Sequence, residues 1–102
     1  PWPCFVIAAH ERFINKQSTT LKSVLEIINS ITKEFKTIHE IDNTIAKRYE
    51  QKSEDVKAWL KQTQWTQNCM SKDSLDRVQN TLLDLKLIAV ELKHSKLFFD
   101  LN

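Results

Sequence analysis

The chain has 102 residues, of which 41% are hydrophobic and 27% are charged, and its formal net charge is only +2. This size and composition suit one small folded domain rather than a disordered segment. The charges are spread along the chain without the basic stripe of a nucleic-acid-binding protein, and no apolar run approaches the ~20 residues of a membrane span. We therefore expect no nucleic-acid partner and no membrane insertion.

The sequence contains no glycine. Average usage of about 7% predicts roughly seven glycines in a chain of this length. A Gly-rich phosphate loop, a dinucleotide-binding fingerprint and a nucleophile elbow all require glycine, so these sites are excluded. Glycine is also the usual left-handed residue at helix ends, and we expect Asn, Lys or Gln to replace it there.

The first nine residues are PWPCFVIAA. Residues 4–9 are apolar throughout, and the pattern predicts a strand that is buried on both faces. No later segment resembles a partner for this strand. Because an unpaired buried strand leaves its backbone groups without hydrogen bonds, its neighbours must come from elsewhere. We interpret the chain as one segment of a larger α/β protein.

The remainder of the chain predicts five to six helices. A short helix over residues 10–15 is expected to bury Phe13 and Ile14. Ser18 or Thr19 caps a long helix that ends near Lys36. The apolar residues of the long helix follow the spacing of a single helical face: Leu21, Val24, Leu25, Ile28, Ile31 and Phe35.

A break at residues 37–39 precedes a shorter helix around residues 41–49. Ser53 is expected to cap the next helix, whose first turn carries acidic residues as the helix dipole favours. Its apolar face predicts a buried cluster of Val56, Trp59 and Leu60.

Residues 63–70 have no helical periodicity, and we predict an extended connector that Trp65 anchors. The last long helix begins at Ser71 or Asp73 and carries Leu75, Val78, Leu82 and Leu85 on one face. The apolar tail over residues 96–101 is expected to dock on the protein. We predict no internal domain boundary.

Three histidines raise the question of metal binding or catalysis. His10, His39 and His94 lie on different predicted elements, and no pair has the i, i+4 spacing of a helical zinc site. We interpret them as solvent-facing or capping side chains, and we predict no metal and no cofactor. Cys69 has no base placed beside it and is interpreted as an inert thiol. We predict no catalytic residue and no enzymatic activity.

Two residues near the N-terminus are candidates for ligand binding. Trp2 lies between two prolines at the entry to the predicted strand, and Cys4 begins that strand. The alternative is a packing role for both side chains. Cys4 and Cys69 form one bridge if the protein is secreted, whereas a cysteine within an apolar strand more often acts as a small buried hydrophobic residue.

The order of apolar segments resembles the C-terminal part of a type 2 periplasmic substrate-binding protein fold, in the branch that binds sulfonates, taurine and thiamine pyrimidine precursors. The resemblance begins at residues 2–9 and 11–14, where a buried strand leads into a Glu-x-Phe-Ile helix start. It continues through the long helix and the later apolar segments: residues 21–28, 45–49, 53–56, 59–60, 82–88 and 97–100.

Proteins of this family have two α/β lobes that close on a small molecule by a hinge motion. The resemblance implies that residues 4–9 form a strand of the first lobe, with residues 1–3 near the hinge and the helices on the outer face. It implies two partners: a small-molecule ligand in the cleft and the remainder of the two-lobe chain.

Bacterial members place Pro and Gly in turns where this chain has Gln17-Ser18 and Gln51-Lys52. The richness in Asn, Ile and Lys and the two cysteines fit a fungal or other eukaryotic relative, for which we expect a cytoplasmic location. A bacterial relative implies a periplasmic location and an ABC-type transporter as a further partner. The alternative to a substrate-binding segment is a self-contained bundle of four or five helices that binds a protein partner, with residues 1–9 as an apolar arm.

Overall fold

A computed structural model describes residues 2–99 of the chain. The described residues contain six α-helices and one 3-10 helix, which confirms the predicted helical character. Their bounds are α1 Glu11–Lys16, α2 Ser18–Glu34, the 3-10 helix Phe35–Thr37, α3 Ile41–Arg48, α4 Ser53–Gln62, α5 Lys72–Asp84 and α6 His94–Leu97. Residues 2–99 contain no β-strand.

The N-terminal arm, defined as residues 4–9, has no regular secondary structure. Residues 2–99 therefore supply no neighbouring strand for the arm. Pairing of the arm with strands from elsewhere stays a prediction. Pro1, at the expected hinge, and residues 100–102, at the end of the expected tail, lie outside the described residues.

The predicted cap at Ser71 is confirmed, because its side chain accepts a hydrogen bond from the Ser74 amide at 3.1 Å at the start of α5. The predicted cap of α2 at Ser18 or Thr19 was wrong, because Ser18 is already the first helical residue. The prediction for α4 was wrong by one residue, because Lys52 occupies the cap position and Ser53 is the first helical residue. The Ser53 hydroxyl instead lies 2.9 Å from Asn43 Oδ1 and donates to it, joining the starts of α3 and α4.

Two helices end on a left-handed residue that is not glycine. Glu50 follows α3 with a φ of 52°, and Lys86 follows α5 with a φ of 58°. The next amide along the chain, Gln51 and Leu87 respectively, donates to a carbonyl of the last helical turn at 2.9 Å, as in a Schellman motif. The expectation that Asn, Lys or Gln replaces glycine is confirmed at Lys86 and wrong at Glu50.

The chain divides into two compact units, and residues 20–67 form one of them. Within this unit α3 and α4 pack closely on each other. The small hydrophobic core contains the buried residues Ala46, Val56 and Leu60, with Phe35, Ile41, Ile45 and Trp65 packed against it.

Trp65 anchors the connector that follows α4, as the sequence predicts. Its ring lies 5.0 Å from that of Phe35 and 5.9 Å from that of Trp59, and both contacts have the edge-on geometry that aromatic pairs prefer. Trp59 is 46% exposed, so its predicted burial was wrong. The helical face was identified correctly, but only Val56 and Leu60 of that face are covered.

The second unit contains the described residues on either side, 2–19 and 68–99. α5 buries Leu75 and Gln79. The Gln79 side chain donates to the Leu92 carbonyl at 2.9 Å and accepts from the Leu92 amide at 2.8 Å. This pair of bonds fastens the irregular segment after α5 to the helix.

Several apolar side chains of this unit are more exposed than predicted. Phe13, expected to be buried by α1, is 44% exposed, and Leu85 lies on the open part of the α5 face. In the C-terminal segment Phe98 stacks on the His94 ring at 4.4 Å, while Leu97 and Phe99 are about half exposed. The helical periodicity identified these faces, but it does not report whether another element covers them.

Candidate binding surfaces

Trp2 lies in an open groove beside α5. The groove has a volume of about 470 Å³, and Trp2 and Pro3 form one wall of it. One face of α5 forms the rest of the lining: Ser74, Arg77, Val78, Asn80, Thr81 and Asp84. An indole thus faces a mostly polar helix surface, and Trp2 occupies a position from which it can contact a bound molecule.

The two charged groups of the groove have no ion-pair partner among the described residues. Arg77 Nη2 makes only a long hydrogen bond of 3.4 Å to Ser74 Oγ, and Asp84 takes part in no salt bridge of the described chain. Because they are seven residues apart on one helix, their backbones lie about 10 Å apart along its axis. The groove therefore presents a cation, an anion and an aromatic ring to a ligand. It holds no nucleophile paired with a base.

Cys4, the second predicted ligand-binding residue, does not line this groove. Its side chain is exposed, and its thiol lies 3.7 Å from the Trp2 carbonyl. Both Cys4 and Cys69 are free and exposed, so neither the bridge nor the buried-hydrophobe interpretation is confirmed. Of the two predicted ligand-binding residues, Trp2 lines the groove and Cys4 lies on the arm.

The N-terminal arm is the most exposed apolar segment of the described chain. Phe5 is 95% exposed, and Val6 and Ile7 are each more than half exposed. No hydrogen bond joins the backbone of residues 5–9 to any other described residue. The arm therefore offers both apolar side chains and unpaired backbone groups.

The histidines take structural positions. His10 Nδ1 accepts a hydrogen bond from the Arg12 amide at 3.1 Å and caps α1, and His39 is exposed, as predicted. His94 Nε2 lies 3.3 Å from the Met70 carbonyl. Within residues 2–99 no three His, Cys, Asp or Glu side chains are grouped so that they could hold a metal ion.

Sequence reasoning did not identify Arg77 and Asp84 as candidate binding residues. They occupy equivalent positions two turns apart on α5, which is a pattern shared by many solvent-exposed helix residues. Only the position of residues 2–3 beside the helix distinguishes them, and no local sequence signal reports that placement.

Among the described residues no helix is both long enough and apolar enough to cross a bilayer. Comparison of the chain with protein-family models, with curated proteins and with solved structures finds no match.

Proposed function

We propose that this chain is a non-catalytic helical module that binds a protein partner, and that its N-terminal arm makes the contact by adding a strand to the edge of the partner's β-sheet. The carrying observation is the arm itself, in which Phe5 is 95% exposed and the backbone of residues 5–9 has no partner within the described chain.

The composition of the arm suits strand addition. Phe5, Val6 and Ile7 are residue types enriched in β-strands, and the arm contains no charge, no glycine and no proline. Pro3, which has no amide hydrogen, precedes the arm and marks where a hydrogen-bonded ladder can begin. In strand addition the backbone bonds supply affinity and alternate side chains supply specificity.

Burial of the arm supplies a driving force for the complex. Full burial of a Phe, Val or Ile side chain contributes about 1.5–3 kcal/mol. Three such side chains together offset a substantial part of the entropy that is lost when two molecules associate. Within the isolated chain these side chains contribute little to stability, because they contact solvent.

A matched pair of substitutions tests strand addition. Ile7→Pro removes an amide hydrogen and fixes the backbone, whereas Ile7→Val keeps a β-branched residue and the amide. Each variant is expressed in cells, and the cross-link between its arm and the partner protein is measured. This cross-link is expected to be lost with Ile7→Pro and retained with Ile7→Val. Equal retention by both variants would contradict strand addition.

A second candidate function is that of a segment of a two-lobe solute-binding protein, in which the same longer polypeptide supplies the sheet neighbours. The observation that favours it is the groove at Trp2, with the charged groups of Arg77 and Asp84 available to a small polar ligand. In this case the ligand is held in a cleft that closes by hinge motion, as the family resemblance implies.

One photocross-linking experiment separates the two candidates. A photoreactive residue in place of Val6 is expected to cross-link to a different protein if the chain is an interaction module. Cross-links confined to other residues of the same polypeptide would instead support the two-lobe segment. The cross-linked peptide, identified by mass spectrometry, decides between them.

A further inference from the structure

An uncharged strip on α2 has no partner in the described chain. Val24, Ile27 and Ile31 follow each other at spacings of three and four residues, and they are 46%, 60% and 52% exposed. α2 makes no packing with another described element as close as that of α3 on α4. We refer to these three residues as the α2 strip.

The residues around the α2 strip are suited to burial. At 100° per residue, Lys22, Glu26 and Lys33 project from the side of α2 opposite to the strip. Small serines, Ser23 and Ser30, flank it instead. The Ser30 hydroxyl already donates to the Ile27 carbonyl at 2.8 Å, so covering the strip does not leave that donor unsatisfied.

We infer that the α2 strip is a self-association surface, on which the α2 helix of a second copy of this chain packs antiparallel. A two-fold axis at a point between residues 27 and 28 places Val24 of one copy against Ile31 of the other. It places Ile27 against Ile28, a partly buried isoleucine that borders the strip. The strip and Ile28 together are therefore their own apolar complement, as an isologous interface requires.

The charges of α2 favour the antiparallel arrangement over the parallel one. The first turn of α2 contains no acidic residue, whereas its last turn contains Glu34 beside the strip and Lys33 on the opposite side of the helix. In an antiparallel pair, Glu34 of one copy approaches the first turn of the other, where the helix dipole favours a negative charge. A parallel pair places the two Glu34 carboxylates side by side and aligns the two dipoles.

This inference does not rest on the proposed function, because it uses α2 rather than the N-terminal arm. The strip contains only three large apolar side chains, so we expect a weak dimer rather than an obligate one. The Ile7→Pro variant is expected to dimerise as the wild-type chain does.

Analytical ultracentrifugation of the 102-residue chain tests the surface. From about 10 µM to about 1 mM, a range that covers weak association, the mean mass is expected to rise from 12.0 kDa toward twice that value. Ile27→Lys is expected to raise the Kd at least about tenfold, because it places a charge in the apolar contact. The matched control Ile38→Lys changes an isoleucine of 46% exposure outside α2 and is expected to leave the Kd within about twofold.

Disulfide trapping tests the orientation. In a parent with Cys4→Ser and Cys69→Ser, chains carrying Val24→Cys and chains carrying Ile31→Cys are mixed and oxidised. The antiparallel pair predicts a mixed disulfide between the two kinds of chain in preference to either like pair. A monomer up to about 1 mM, equal weakening by Ile27→Lys and Ile38→Lys, loss of the dimer with Ile7→Pro, or a preference for like pairs would each overturn the inference.

Discussion

The Gln79 side chain binds both backbone groups of Leu92, donating to its carbonyl at 2.9 Å and accepting from its amide at 2.8 Å. Gln79 is 5% exposed, so these bonds form away from bulk water. The Gln79 side chain therefore satisfies the backbone amide and carbonyl of Leu92, two groups that would bond to a neighbouring strand in a β-sheet.

Substitution of Gln79 tests this anchor. Gln79→Leu is expected to destabilise the chain by about 1–2 kcal/mol, since two partly buried hydrogen bonds are lost. Gln79→Glu keeps an acceptor for the Leu92 amide but places a carboxylate next to the Leu92 carbonyl. The free energy of unfolding of this variant is expected to rise as pH falls, because the protonated carboxyl can donate to that carbonyl. Urea denaturation measures both effects, with exposed Asn80→Leu as the control. A change of less than about 0.3 kcal/mol for Gln79→Leu would refute the anchoring role.

The left-handed residues Glu50 and Lys86 give a second prediction. A non-glycine residue in this region carries a cost of about 1–2 kcal/mol that glycine avoids. Glycine also increases the conformational entropy of the unfolded chain, which offsets part of the gain. Glu50→Gly and Lys86→Gly are each expected to raise the free energy of unfolding by about 0.5–1 kcal/mol. Lys22→Gly, at an exposed position within α2, is the control and is expected to lower it.

The aromatic contacts of Trp65 give a third prediction. Trp65→Ala removes edge-on contacts to both Phe35 and Trp59 and releases the connector after α4. It is expected to lower the free energy of unfolding by about 2–3 kcal/mol, below the 3–5 kcal/mol of a fully buried aromatic because Trp65 is only half-buried. Trp59→Ala is expected to cost less, because Trp59 is nearly half exposed. The reverse ranking in thermal or urea unfolding would contradict the anchoring role of Trp65.

The pH dependence near the start of α5 gives a fourth prediction. Lys72 Nζ lies 2.6 Å from Asp76 Oδ2, and this hydrogen bond, followed by the charge of Asp76, raises the pKa of Lys72. The folded state therefore holds the proton more tightly than the unfolded state. The resulting stabilisation is fully present below the ordinary lysine pKa of 10.5, which the unfolded chain has, and is lost as pH rises through the higher folded-state pKa.

The measurement is the difference in unfolding midpoint between the wild-type chain and Lys72→Met. This difference is expected to be small, because the pair is exposed, and constant near neutral pH. It is expected to shrink above the ordinary lysine pKa of 10.5. Lys61→Met is the control, because Lys61 forms no ion pair with the described residues. A difference that grows with rising pH would refute the assignment.

Much of the helical framework could be predicted from local sequence. The spacing of apolar residues identified α2 and α5, and the cap at Ser71 and the connector anchor at Trp65 followed from residue type and position. These features depend on interactions within a few residues or on one dominant side chain. The exposed positions of Phe13 and Trp59 could not be predicted, because periodicity identifies an apolar face but not the element that covers it.

The candidate groove was only partly predictable. Trp2 was identified because its position between two prolines is unusual, whereas Arg77 and Asp84 resemble ordinary surface residues of a helix. Gln79 did carry a signal, since it lies four residues after Leu75 within an apolar face and a buried amide requires a partner. The identity of that partner, the Leu92 backbone, depends on the path of an irregular segment that no periodicity describes.

Amide hydrogen exchange of residues 5–9 tests the account most directly. In the isolated chain these amides are expected to exchange at the rate of an unstructured peptide, while amides of α3 and α4 are protected. In the complex isolated from cells, alternate amides of the arm are expected to become protected as they pair with a sheet edge. Slow exchange of these amides in the isolated chain would show that the arm is already paired within it, and would contradict the proposed function.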